Sequence, residues 1–185
     1  MLRFAAIIVA VFALSVLMPA QIVPTSGNVF VGYSYNRAEA ATSQGLNLNG
    51  WNASLEGKIL PHIGIVVDAS GYYGSQSFAS PVIPAGPSLT VNLKQYNALL
   101  GPRLSIGVGR LRPFAEALVG VSHVSAPSNG FVNSDTSLAY ALGGGADYRL
   151  KGPIGWRVEG DYLRTKFFST TQSDYRVSTG IVFHF

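Results

Sequence analysis

His123 and Ser125 are two side chains that could act together as a base and a nucleophile. They lie two positions apart in SHVSAPSNG, near the end of a predicted strand, so both are expected on one face. A serine hydroxyl becomes a nucleophile when a histidine accepts its proton and an acidic group orients that histidine. Asp135 is the nearest downstream acid that could complete such a set. The alternative interpretation is a plain histidine at a strand end.

The sequence gives little support to metal, phosphate or thiol chemistry. His62, His123 and His184 lie on separate segments, and cysteine is absent. The run GGGADY lacks the following helix that a phosphate-binding loop needs, so its glycines are expected to make room for large neighbours in a sheet. No metal and no cofactor are therefore expected.

Eight segments with period-two alternation must position any such residues. The alternation favours β-strands, because successive side chains of a strand point to opposite faces. The fold class predicted is all-β: an antiparallel, up-and-down barrel of eight strands. The segments run over 28–37, 47–58, 63–73, 89–106, 112–123, 137–149, 155–166 and 174–185.

The gaps between the segments alternate between long and short. Short gaps at 59–62, 107–111 and 150–154 contain turn-forming Gly and Pro, whereas those at 38–46, 74–88, 124–136 and 167–173 are longer. Tight turns at one end and longer loops at the other are typical of outer-membrane barrels.

The composition and the aromatic residues decide which face is outside. Only 12% of the residues are charged, against 48% hydrophobic, and the predicted apolar face is nearly free of mid-strand charge. A soluble barrel would turn that face inward. However, aromatic residues flank it near both strand ends, as two membrane–water interfaces require. We therefore expect the apolar face to contact outer-membrane lipid.

The polar face must then line a narrow interior. Eight strands enclose room for side chains but not a wide channel, so buried charges are expected to pair. The alternative is a gated ion path. The predicted interior charge network consists of Glu56, Lys94, Glu116, Arg149, Arg157, Glu159, Asp161 and Arg176.

The first residues have the layout of an export signal. Arg3 precedes an apolar run from Phe4 to Met18, and Ala20 follows, which is too short to span a bilayer and is typical of a cleavable signal peptide. We expect a signal peptide over 1–20, a short periplasmic lead over 21–27 and the barrel domain over 28–185.

With these elements in place, the chain resembles the OmpA-like family of eight-stranded outer-membrane barrels. The matching stretches are QYNALLGPRLSI, RPFAEALVGVSH, ALGGGADYRL and RVSTGIVFHF. The resemblance implies that the last strand, with Ile181, Phe183 and Phe185, is read by the outer-membrane insertion machinery. A peptidoglycan-binding domain, which many relatives carry, is not expected. The His-x-Ser pair also resembles that of outer-membrane lipid A deacylases.

Three functions remain open at this point. The leading expectation is a non-enzymatic, monomeric scaffold of the cell envelope with a plugged interior and extracellular loops for an unknown partner. Phe78, Val82 and Ile83 are the loop contact candidates. The alternatives are a lipid-modifying enzyme using His123 and Ser125, and a narrow channel. The formal charge of +4 comes from scattered residues, so nucleic-acid binding is not expected.

Overall fold

The chain folds into a closed barrel of eight antiparallel strands, each hydrogen-bonded to its neighbours in sequence order. The computed structural model describes residues 24–38, 46–78, 89–128, 131–167 and 170–185. Within these ranges, no helix is long and apolar enough to cross a bilayer. The strands are β1 (Gly27–Ala38), β2 (Leu46–Lys58), β3 (Ile63–Phe78), β4 (Leu89–Ser105), β5 (Leu111–Ser128), β6 (Phe131–Lys151), β7 (Ile154–Phe167) and β8 (Thr170–His184).

The last strand closes the barrel onto the first. β8 pairs antiparallel with β1 from Asn28↔His184 to Ala38↔Asp174. Beyond His184, the amides of Gly27 and Phe185 donate to each other's carbonyl oxygens at 2.9 and 3.1 Å. Closure gives every strand two neighbours, which satisfies the backbone groups that lipid cannot. This confirms the predicted eight-stranded barrel.

The two faces of the wall differ as the alternation predicts. Outward positions carry exposed apolar side chains, for example Val31 (60% exposed) and Leu142 (67%). Exposed rings lie toward the long-hairpin ends at Tyr33, Trp51, Tyr73, Tyr96, Tyr140, Tyr162 and Tyr175, and toward the short-turn ends at Tyr148, Trp156, Phe183 and Phe185. Such a surface suits a hydrocarbon layer between two interfaces.

The short turns lie where the glycines and prolines predict them. Residues 59–62 connect β2 to β3, residues 106–110 connect β4 to β5, and residues 152–153 connect β6 to β7. Gly109 and Gly152 have φ values of 63° and 56°, a left-handed conformation that glycine adopts without steric cost.

The long gaps are shorter than predicted, because several strands continue as hairpins. β3–β4 pairing runs up to Phe78↔Leu89, and β5–β6 pairing runs up to Ser128↔Phe131. Polar residues can form these extensions because the two strands of a hairpin satisfy each other's backbone hydrogen bonds. Outside the lipid, such a hairpin does not need an apolar face. Phe78 is therefore a strand residue rather than a loop residue, while Val82 and Ile83 lie outside the described residues.

The beginning of the barrel also differs slightly from the prediction. β1 starts at Gly27, so the last residue of the expected periplasmic lead belongs to the barrel. The predicted signal peptide over 1–20 lies outside the described residues.

Candidate functional site

Three buried arginines organise the barrel interior, and each joins strands that are distant along the chain. Arg176 on β8 donates from Nε to Asp161 Oδ2 on β7 at 2.7 Å and from Nη1 to Asp68 Oδ1 on β3 at 2.8 Å. All three side chains are buried. Arg176 therefore ties neighbouring β7 to β3 across the interior.

Arg157 holds the interior together near the short turns. Its Nε donates to Asp147 Oδ1 at 2.6 Å and its Nη2 to Asp147 Oδ2 at 2.9 Å, a bidentate pair. The same Nη2 donates to Asn28 Oδ1 at 3.0 Å. Its guanidinium also lies over the rings of Phe30 and Phe114, 5.1 and 4.8 Å from their centroids. His184 Nε2 lies 3.2 Å from Asp147 Oδ2.

Arg103 lies among three carboxylates. Its Nε donates to Glu116 Oε2 at 2.6 Å, while Glu56 and Glu159 oxygens lie 3.5 and 3.8 Å from its terminal nitrogens. Lys58 shares Glu56 with it, at 2.8 Å. Among the described residues, neither oxygen of buried Glu159 has a hydrogen-bond partner, so Arg103 provides Glu159 with charge rather than with a hydrogen bond.

Neutral polar groups continue this packing on one side of the interior. Ser34 Oγ lies 2.9 Å from Tyr72 Oη and 2.8 Å from Ser178 Oγ. Asn52 donates to Asp68 at 2.6 Å. On the opposite side, buried apolar side chains fill the space: Val66, Leu99, Leu118, Ala139, Ala141 and Leu163.

The structure brings together six of the eight residues predicted for the interior network: Glu56, Glu116, Arg157, Glu159, Asp161 and Arg176. It corrects the placement of the other two. Lys94 is exposed on the outward face, since β4 turns its odd-numbered residues inward without the parity shift that would bury Lys94. Arg149 has inward parity but lies exposed at the short-turn end of β6.

The predicted network did not include Asp68, Arg103 and Asp147. The structure gives each a central role, with Arg103 as the cation shared by Glu56 and Glu116. The period-two pattern shows that a side chain points inward. It does not show which side chain meets it across the interior.

The candidate catalytic residues do not converge. His123 and Ser125 lie outward on β5, alternating with the buried inward residues Ser122 and Val124. Asp135 is opposite Val124 in the β5–β6 register, hence on the inward face. His123 Nδ1 instead lies 2.8 Å from the Thr136 hydroxyl. A sheet wall therefore separates the acid from the histidine, so the three residues of the alternative enzyme hypothesis do not form a catalytic set.

The glycine run on β6 has the steric role expected of it. A Cβ on Gly143 would overlap the Asp161 carboxylate, and one on Gly145 would overlap the backbone of β7. Because glycine has no side chain, these positions leave space for the charged side chains beside Arg176.

The three residues predicted as an insertion signal lie on the outward face of the closing strand. Ile181, Phe183 and Phe185 are each about half exposed, at 54%, 47% and 52%. Their surface is thus available to lipid or to a protein partner.

This combination of a lipid-facing exterior, a filled polar interior and eight closed strands defines a small outer-membrane barrel. The family described as "Outer membrane protein beta-barrel domain" matches residues 6–185. The chain belongs to that family, and the protein resides in the outer membrane. The comparison with curated protein sequences found no match.

Solved structures share the fold at low sequence identity. Neisserial surface protein A is 13% identical, with a TM-score of 0.69 over 86% of this chain and 97% of that chain. Ail, the attachment invasion locus protein of Yersinia pestis, is 17% identical, with a TM-score of 0.58 over 85% and 98%. The N-terminal barrel domain of Pseudomonas aeruginosa OprF is 15% identical, with a TM-score of 0.53 over 86% and 99%.

Proposed function

We propose that the protein is a non-enzymatic outer-membrane scaffold that presents two β-hairpins as a contact surface outside the cell. The observation that carries this proposal is an asymmetry in strand length. The strands β3, β4, β5 and β6 have 16, 17, 18 and 21 residues, whereas β1, β2, β7 and β8 have 12, 13, 14 and 15. About 9 to 11 residues span a membrane in a tilted strand, so, among the described residues, β3–β6 project furthest.

The projecting parts form two separate arms. β4 pairs with β5 from Lys94↔Ser125 toward the short turns, while β3–β4 and β5–β6 pairing each continue beyond this level. We name them the β3–β4 arm (74–78 with 89–93) and the β5–β6 arm (126–128 with 131–133). Function carried on extensions of a rigid frame is a common arrangement.

The interior supports a scaffold over a channel. Arg103, Arg157 and Arg176 are almost fully buried and each is paired with a carboxylate. Buried ion pairs stiffen a structure when every partner is present. The separation of His123 from Asp135 weighs against the lipid-modifying enzyme.

The fold relative from Yersinia pestis suggests a first probe. Its name refers to attachment and invasion, and one of its solved structures is a complex with the heparin analogue sucrose octasulfate. We therefore propose heparin-coated beads as one probe for this chain and cell–cell aggregation as another.

The decisive experiment shortens one arm at a time. Ser125 and Ser134 are register partners, so an Asn-Gly turn can join them in place of residues 126–133. A second variant replaces Phe78 of the β3–β4 arm, and Val82 and Ile83 between its two strands in the sequence, with Ser. As the control, Asn-Gly replaces residues 166–171 between the register partners Thr165 and Gln172.

We expect all three variants to keep heat-modifiable mobility in detergent gels, because the membrane-spanning pairs are unchanged. At least one arm variant should lose bead capture or aggregation by cells, while the β7–β8 control keeps it. If both arm variants behave like the unchanged protein in both assays, the proposal is wrong. Loss of folding in the triple Ser variant would show instead that its apolar side chains pack on the barrel rim.

A further inference from the structure

Within the described residues, carboxylates lie only on the inward face of the wall, although that face also holds Arg103, Arg157 and Arg176. Each acidic residue in the described ranges occupies an inward-facing position: Glu56, Asp68, Glu116, Asp135, Asp147, Glu159, Asp161 and Asp174. The charged side chains described at outward-facing positions between the turns are basic: Arg37, Lys94 and Arg164. Outside, the barrel therefore presents cations to its surroundings.

These outward cations share one level of the barrel. Arg37 is two residues beyond Tyr35 on β1, Lys94 is two beyond Tyr96 on β4, and Arg164 is two beyond Tyr162 on β7, always toward the long hairpins. Tyrosines in barrels mark the level of the lipid headgroups. A cation in the hydrocarbon midplane is costly, but the cost becomes small near the interface. The cations thus lie at the headgroup level of the outer leaflet.

Two of these cations flank one seam of the barrel. β7, β8 and β1 are consecutive neighbours, and Arg37 lies directly opposite Tyr175 on β8. Arg164 lies directly opposite Ser173 on the same strand. Tyr175 is in turn opposite Tyr162. A guanidinium group thus borders each side of β8.

The surface between the two arginines carries ordered hydroxyl groups above an aromatic base. Tyr162 Oη and Ser173 Oγ lie 2.7 Å apart. The rings of Tyr162 and Tyr175 pack with centroids 5.5 Å apart. Hydroxyls and guanidinium groups are hydrogen-bond donors, and the tyrosine rings offer an apolar surface to an acyl chain or a sugar. We name Arg37, Tyr162, Arg164, Ser173 and Tyr175 the seam site.

We propose that the seam site binds the phosphate group of a phosphorylated lipid in the outer leaflet. Arginine matches phosphate oxygens with two parallel hydrogen bonds, which a lysine cannot do. The charge of the phosphate complements the two guanidinium groups, whose surroundings on this face hold no described carboxylate. Because the site faces the membrane at headgroup level, a lipid delivers the phosphate there.

Lys94 provides a matched comparison elsewhere on the same rim. It is outward and exposed at the same level, between Tyr73 on β3 and Ser125 on β5. It is a single ammonium, and the described residues place no second outward cation two strands away from it. Loss of Lys94 removes one outward charge, as loss of Arg37 does, but leaves the seam site complete.

The test measures binding of diphosphoryl lipid A to the folded protein in neutral detergent micelles by native mass spectrometry. Substitution of both arginines, Arg37→Gln with Arg164→Gln, should weaken binding by about tenfold or more, since each removes charge-assisted hydrogen bonds. Lys94→Gln should change affinity by no more than about twofold, as expected for one exposed charge. Heat-modifiable mobility checks that each variant is folded.

Two further measurements identify the chemistry of the ligand. An uncharged glycolipid with similar acyl chains should bind the unchanged protein and the double variant equally weakly. Inorganic phosphate in large excess should not displace lipid A, because it lacks the acyl chains that contact the tyrosine rings.

Several results would overturn the proposal. The first is that Lys94→Gln and the double substitution weaken lipid A binding equally, and the second is that the double variant binds lipid A as well as the unchanged protein. The third is that the unchanged protein binds the uncharged glycolipid as tightly as lipid A. The last is that inorganic phosphate fully displaces lipid A. The first would reveal a diffuse basic rim, and the last a phosphate site independent of lipid. Lipid binding at the seam site does not depend on the proposed contact function of the arms.

Discussion

At the scale of single residues, the interior of this barrel depends on three arginines that cannot lose their partners. Arg176 is the clearest case, because it is fully buried and forms ion pairs with both Asp68 and Asp161. Charges taken out of water need partners, and leaving one unpaired costs more than the pair itself contributes. We therefore expect the folded barrel to depend on these arginines, and an uncharged side chain should not be able to replace them.

Replacing Arg176 with Met tests this role. The variant leaves two buried carboxylates without their cation, so its free energy of unfolding should fall by about 3 to 5 kcal/mol. The measurement is urea unfolding from phospholipid vesicles, followed by tryptophan fluorescence.

The control replaces outward, exposed Arg164 with Met, which should change the free energy of unfolding little. Adding Asp68→Asn and Asp161→Asn to Arg176→Met should restore much of the loss, since no uncompensated charge remains. If Arg176→Met and Arg164→Met are equally stable, the expected dependence of the barrel on Arg176 is wrong.

At the scale of the strands, the alternation predicts where each residue points better than it predicts where a strand ends. Lipid imposes period-two alternation on every spanning segment, and this made the eight strands and their faces readable. Outside the membrane no lipid contact requires this alternation. The polar extension of β6 back to Phe131 therefore has no alternating apolar pattern by which the sequence could have predicted it. The hairpin pairing Ser128↔Phe131 therefore could not be read from apolar residues.

The alternation also limits how many of the interior ion pairs could be predicted from the sequence. Glu116 and Arg103 lie on adjacent strands and their pairing follows from the register Arg103↔Glu116. By contrast, Arg176 reaches Asp68 across the interior, a contact that depends on the closed geometry of the barrel. The predicted inward placement of Lys94 was wrong because it assumed a shift of one residue in the alternation along β4. Such a shift moves a side chain to the other face of the sheet.

The closing strand gives a prediction about delivery to the membrane. Phe185→Ser keeps the two backbone hydrogen bonds to Gly27 and removes only a half-exposed ring. The free energy of unfolding in vesicles should fall by about 1 kcal/mol or less. In cells, the amount in the outer membrane should fall several-fold if the insertion machinery reads this ring.

Ile154→Ser is the matched control for Phe185. Ile154 is opposite Phe183 on the neighbouring strand and is similarly exposed, at 44%, but it lies outside the last strand. We expect it to reach the outer membrane in normal amounts. Equal amounts of the two variants in the membrane would contradict a specific role for Phe185, as would normal delivery of Phe185→Ser.

At the scale of the whole molecule, the barrel is inverted relative to a soluble protein. Its interior is charged and hydrogen-bonded, while its exterior exposes a continuous apolar band containing side chains such as Val31, Leu100 and Leu142. Monomeric soluble proteins rarely expose apolar patches larger than a few hundred Å². The favourable burial of this band must come from contact with an amphiphile.

Folding should therefore require micelles or bilayers. Urea-unfolded protein diluted into dodecyl maltoside above its critical micelle concentration should regain β-sheet circular dichroism. It should also migrate differently in gels before and after heating. Dilution into the same detergent below that concentration provides the control, because monomeric detergent cannot cover the apolar band, and aggregation is expected there. A monodisperse, folded monomer without micelles would mean that the apolar face is not the exterior.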